Sequence, residues 1–92
     1  MDIQVRYLSN QSYDESIKRG DQPQVTLFMA FYNNVDFFRK VFASIEIQSF
    51  KNFEVMICDD GSKEEAVQAL QEIYKSSSLP VRHVWHNDRG FY

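Results

Sequence analysis

Two adjacent carboxylates, Asp59 and Asp60, follow the apolar run Phe53-Glu54-Val55-Met56-Ile57-Cys58, and Gly61-Ser62 follow them. A carboxylate costs on the order of several kcal/mol to bury without a partner, so an acidic pair at the end of a hydrophobic strand needs a reason. In an open α/β sheet, ligands bind at the carboxyl ends of the strands. A second apolar run, Val25–Phe31, ends in Tyr32-Asn33. One aromatic ring and one carboxylate suit a nucleobase. The ring offers a stacking face worth roughly 1–3 kcal/mol, and an ionised carboxylate only accepts hydrogen bonds. Uracil presents an N3–H donor where cytosine presents a bare acceptor, so a fixed carboxylate favours uracil; thymine shares the N3–H and is not distinguished. An isolated Asp-Asp-Gly-Ser is equally compatible with a solvated acidic turn that caps the next helix.

The surrounding pattern supplies the elements to hold these groups. Val25–Phe31 is continuously apolar, the signature of a parallel strand covered on both faces. Tyr32-Asn33-Asn34 breaks it, and Asn33 or Asn34 serves as N-cap. Phe38, Val41, Phe42 and Ile45 then fall at i, i+3, i+4 and i+7, one stripe of a helix that should end near Gln48. Phe53–Cys58 is the second strand. Ser62-x-x-Glu65 is a capping box for a helix whose apolar face is Ala66, Val67, Leu70, Ile73 and Tyr74. Ser76-Ser77-Ser78 and Pro80 end that helix, and Val81–Trp85 is the third strand. The order β-α-β-α-β with short connections predicts an α/β domain with a parallel sheet and right-handed crossovers. Strands joined by one crossover are neighbours, so Tyr32-Asn33 and Asp59-Asp60 should flank one crevice. Residues 1–24 are polar and aperiodic and read as an N-terminal extension, with Ser12-x-x-Glu15 capping a short helix that ends at Gly20. The domain proper is 25–92.

Composition narrows the classes. Ninety-two residues with 43% hydrophobic and 15% aromatic content fit one small packed domain. A net charge of −3 without a basic stripe argues against nucleic acid as a partner. The apolar runs are far too short to cross a bilayer, and Met1-Asp2-Ile3-Gln4 does not open a signal peptide. The single cysteine, Cys58, allows no internal disulfide, fits a cytoplasmic location and reads as a small buried hydrophobe. No Gly-x-Gly-x-x-Gly follows the first strand and no P-loop is present, so a bound diphosphate would need a metal ion or basic side chains. His83 and His86, three apart on a strand, point to opposite faces and do not share a metal. Glu64 and Glu65 suit the positive end of a helix dipole and read as structural.

Three blocks then meet a known pattern: residues 25–33 (VTLFMAFYN), residues 44–54 (SIEIQSFKNFE) and Asp59-Asp60-Gly61-Ser62. In this order and spacing they resemble the start of a family-two nucleotide-sugar glycosyltransferase of the GT-A fold, over residues 25–92. The segment His86-Asn87-Asp88-Arg89-Gly90-Phe91 is similar to the one after the third strand of that family. The resemblance implies a partial GT-A (Rossmann-like) three-layer sandwich with parallel strands, and inverting sugar transfer from a nucleotide-sugar donor, commonly a UDP-sugar, to an unknown acceptor. It implies that Tyr32 stacks on or flanks the base, Asp60 accepts the base N3–H, and Asp59, Ala30 and Phe31 shape the same pocket. Gly90 lets the chain pass close to the donor. No catalytic residue and no metal ligand is expected among these 92 residues. By the resemblance, a magnesium or manganese ion, the catalytic base and the acceptor half would belong to later elements of a full-length enzyme, which is expected to be cytoplasmic or peripheral to a membrane. The segment alone should not transfer sugar. In the full fold another strand flanks Val25–Phe31, so its edge should here either drive self-association or be covered by residues 1–24. Two other classes compete: a non-catalytic nucleotide-binding or protein-interaction module of the same half-fold, and a phospho-acceptor receiver-like domain. The latter is disfavoured because the first strand ends in Tyr32-Asn33 rather than in acids.

Overall fold

The computed structural model describes residues 3–23 and 25–87. In chain order the elements are β1 (Val5–Ser9), α1 (Gln11–Arg19), β2 (Val25–Phe31), α2 (Val35–Glu46), β3 (Phe53–Asp60), α3 (Glu64–Tyr74) and β4 (Val81–His86). The strands form one sheet in the order β1-β4-β3-β2. β2, β3 and β4 are parallel neighbours, as the βαβ pattern predicts. β1 adds an antiparallel strand on the outer edge of β4, with Tyr7 opposite Val84 and Leu8 opposite His83.

Side-chain alternation divides the sheet into two unlike faces. Leu27, Met29 and Phe31 of β2, Phe53, Val55 and Ile57 of β3, and Val81 of β4 face the amphipathic helices α2 and α3. There they form the core with Phe38, Phe42, Ala66, Leu70 and Tyr74. Phe38 stacks on Phe42 at 5.4 Å and meets the edge of Phe31 at 6.0 Å. The opposite face carries Phe28, Tyr7, Met56 and Cys58. Tyr7 and Phe28 are 80% and 69% exposed, and the thiol of Cys58 is free and half-buried. On that side Arg82 bonds the nearly buried Glu54, which also accepts from Thr26, and the ring of Tyr13 from α1 lies against the Arg82 guanidinium.

Three expectations need correction. Residues 1–24 do not cover β2, because β1 lies at the far side of the sheet. The cause is Asn10: its amide nitrogen donates to the carbonyls of Tyr74 and Leu79, its Oδ1 accepts from the backbone of Val81, and its own N–H reaches the Val81 carbonyl. These bonds fasten the segment to the start of β4. The same Oδ1 accepts from Tyr13, so Asn10 rather than Ser12 caps α1, and the Ser12 hydroxyl donates to the Ser77 carbonyl. The helix does end at Gly20, whose φ of 73° is a left-handed cap that glycine adopts without strain. Finally, Ser62 is not the cap of α3. Lys63 holds that position and makes no side-chain capping bond.

Candidate functional site

The site follows from the register of β2 and β3. Phe31 is the Cα partner of Asp59, so Tyr32 and Asp60 leave neighbouring parallel strands side by side. Alternation then gives the two acids opposite surroundings. Asp59 points to the helix-covered face and has no exposed surface. Its Oδ2 lies 2.7 Å from Nε2 of His83, and its Oδ1 accepts the Ser62 N–H at 3.0 Å. Nδ1 of His83 is in turn 2.9 Å from the Tyr74 hydroxyl. Burial, and then the charge of Asp59, push the Tyr74 hydroxyl well above its ordinary pKa. Asp60 points to the open face, with its carboxylate about one-third exposed and 3.4 Å from Nε2 of His86, its Cα partner on β4. His83 and His86 thus lie on opposite faces, as their spacing predicts.

Tyr32 is half-exposed, and Ala30 is exposed on the open face. The Phe31 side chain is buried in the core, so only its backbone is available at the strand end. The Asp59 carboxylate is likewise buried, turned away from the open face on which Asp60 lies. Gly90 lies outside the described residues.

The turns after the two strands are tied to each other. Asn33 sits at φ 56°, a left-handed conformation that asparagine tolerates better than most residues. Its N–H donates to the Ser62 hydroxyl at 2.8 Å, and its Oδ1 accepts from the Lys63 N–H at 2.9 Å. Gly61, at φ 74°, lets the chain turn between Asp60 and Ser62. The Ser62 carbonyl accepts from the indole N–H of Trp85 at 3.0 Å. Asn34, not Asn33, caps α2 by accepting from Phe37. Both Asn33 and Ser62 therefore carry a tertiary bond where the sequence offered only local caps. Asn33, Val35, Lys63, Glu65 and Ala66 line an open hollow of about 340 Å³ between the N-termini of α2 and α3.

β1 buttresses this corner from outside. The Arg6 guanidinium lies over the Trp85 ring and pairs with Glu64 at 2.7 Å, in the first turn of α3. The hydrogen bond from Arg6 holds the Glu64 carboxyl below its ordinary pKa.

The divalent ion implied by the resemblance finds no ligand set here. Among the described residues no three His, Cys, Asp or Glu side chains converge to hold one, and Asp59 has both oxygens engaged by protein partners. Nor, among the described residues, is any helix long and apolar enough to cross a membrane.

The family model for glycosyl transferase family 2 matches residues 26–92, from β2 onward. With nearly three-quarters of its length inside that match, the chain belongs to glycosyltransferase family 2.

Proposed function

We propose that the crevice at the carboxyl ends of β2 and β3 binds the nucleotide of a nucleotide-sugar donor, with uridine as the preferred base. The sugar would pass to an acceptor, not yet identified, with inversion at the anomeric carbon. The observation that carries this reading is the pairing of Phe31 with Asp59, which puts a half-exposed ring and a partly exposed carboxylate at adjacent strand ends. Tyr32 flanks the base and Asp60 accepts its N3–H. Ala30 and the Phe31 backbone form the floor, while Asp59 shapes the pocket from behind through Ser62. The 92 residues alone bind the donor without transferring sugar, and the free thiol of Cys58 suits a cytoplasmic setting.

The outer edge of β2 is paired with no strand among the described residues. We propose that two copies associate along Val25–Phe31.

The test is a titration of the 92-residue chain with UDP, followed residue by residue by NMR. Tyr32, Asn33 and Asp60 should shift together, with UDP outcompeting CDP. Silence of these residues at millimolar UDP, or sugar transfer by this chain alone, would overturn the reading.

A further inference from the structure

Behind the crevice runs a line of buried polar groups that donor binding does not itself require. It starts at the last turn of α3, where the Tyr74 hydroxyl meets Nδ1 of His83 at 2.9 Å, with the two rings edge to face at 5.8 Å. It continues from Nε2 of His83 to Asp59 at 2.7 Å, and from Asp59 to the Ser62 N–H at 3.0 Å. It ends where the Ser62 hydroxyl takes the Asn33 N–H at 2.8 Å. Tyr74, His83 and Asp59 are each 1% exposed or less. A polar group placed so deep in an apolar core destabilises the fold unless every partner is in place, and a fully satisfied network rigidifies what it touches.

The chemistry gives the line a direction. A carboxylate only accepts, so Asp59 accepts one hydrogen bond from the Ser62 N–H and needs a second donor on its other oxygen. The nearest group is Nε2 of His83, which must therefore carry a hydrogen. The hydroxyl of Tyr74 occupies Nδ1 and fixes the ring in that orientation. Ser62 and Asn33 hold the turns that carry Asp60 and Tyr32.

We propose that Tyr74 and His83 are positioning residues for the donor site, acting through Asp59 to fix the Asn33–Ser62 clip and so the spacing of Tyr32 and Asp60. This rests on the donor-binding reading for its functional consequence, but the mechanical part is testable without ligand. The crevice is then preorganised from the core outward, rather than closed by the donor.

The first measurement is made on the unmodified chain. Long-range ¹⁵N–¹H correlation of the imidazoles should find Nε2 of His83 protonated; a His83 with its hydrogen on Nδ1 alone overturns the relay. The second uses Tyr74→Phe, which removes one oxygen and leaves the ring. Its Asn33 and Ser62 amides should exchange roughly fivefold faster, the change in local opening expected from one lost neutral hydrogen bond. UDP should bind weaker by a similar factor with the global fold intact. His83→Gln, which can still offer an N–H to Asp59, should keep these two amides nearer their native shifts than His83→Leu does. If Tyr74→Phe folds and leaves the Asn33 and Ser62 amides as they are in the parent chain, the positioning role is wrong. If the amides respond as stated but the parent chain ignores UDP, the relay stands and the donor reading falls.

Discussion

Asp59 and Asp60 are adjacent in the chain and as different in surroundings as two carboxylates of one small domain can be. One is sealed beneath the helices with His83 and the Ser62 amide, and the other lies half-open beside His86. The period of two along a strand is enough to separate them. The comparison teaches that an acidic pair at a strand end need not act as a pair: the inner member builds the turn, and the outer one faces the open side of the sheet beside His86.

The sharpest way to break this division is to remove each acid in turn. Asp59→Ala leaves the His83 Nε2–H and the Ser62 N–H buried without an acceptor. At roughly 1–3 kcal/mol for each orphaned group, stability should fall by about 3 kcal/mol. That is a large share of the roughly 5–15 kcal/mol of a domain this size. Its Tm should drop by upwards of about 12 °C. Asp60→Ala, at a partly exposed position beside His86, should cost less, about 1 kcal/mol. Thermal unfolding of the two variants decides the matter; equal losses would mean that the acids are one structural unit.

Binding should reverse the ranking. Asp60→Ala removes the proposed acceptor of the base N3–H and should weaken UDP roughly tenfold or more. Asp60→Asn is more informative. Its amide can turn either an oxygen or an N–H to the base, so the preference for UDP over CDP should shrink toward parity. Calorimetric titration with both nucleotides reads this directly. A variant that keeps the full preference would show that another group reads the pyrimidine.

The sequence carried one half of this contrast better than the other. The elements were legible because their apolar spacings are local: Val25–Phe31, the Phe38-Val41-Phe42-Ile45 stripe and the Phe53–Cys58 run each declare their period within a dozen residues. Pairing Tyr32 with Asp60 needed only the rule that one crossover joins neighbouring strands. The buried half was hidden because its bonds span distance in the chain. Asn33 and Ser62 are 29 residues apart and His83 and Asp59 are 24 apart, and each of these types has a familiar local use as a cap or turn. Tyr74 fell on the apolar stripe of α3 and was read by that stripe alone. β1 is not legible in the sequence because five residues of weak alternation, VRYLS, look like loop until Asn10 fastens them to β4.

The two sheet edges extend the contrast. β4 is covered by β1, whereas β2 carries the 69%-exposed Phe28 beside a rim that no strand pairs among the described residues. Phe28→Lys places a charge on that rim and should weaken self-association about tenfold without changing UDP binding. Sedimentation velocity over a concentration series tests it. A chain that stays monomeric at millimolar concentration before substitution rules the edge out as an interface.

The smallest effect belongs to the outer buttress. Glu64 is exposed, yet the Arg6 hydrogen bond keeps its carboxyl below the ordinary glutamate value. A group whose pKa is depressed by folding contributes stability above its unfolded pKa, and that contribution is lost as pH falls through the folded value. The Arg6–Glu64 contact should therefore help at neutral pH and fade under acid conditions, and salt should blunt it as it does any exposed pair. Arg6→Ala should return the Glu64 titration, followed by its side-chain carboxyl ¹³C shift, to the ordinary range, with little change in unfolding at low pH. The Trp85 indole N–H should nonetheless stay bonded to Ser62, because that bond is fixed by the register of β3 and β4 rather than by the guanidinium above the ring. Loss of the indole bond in this variant would make β1 part of the site's inner scaffold instead of a support leaning on it from outside.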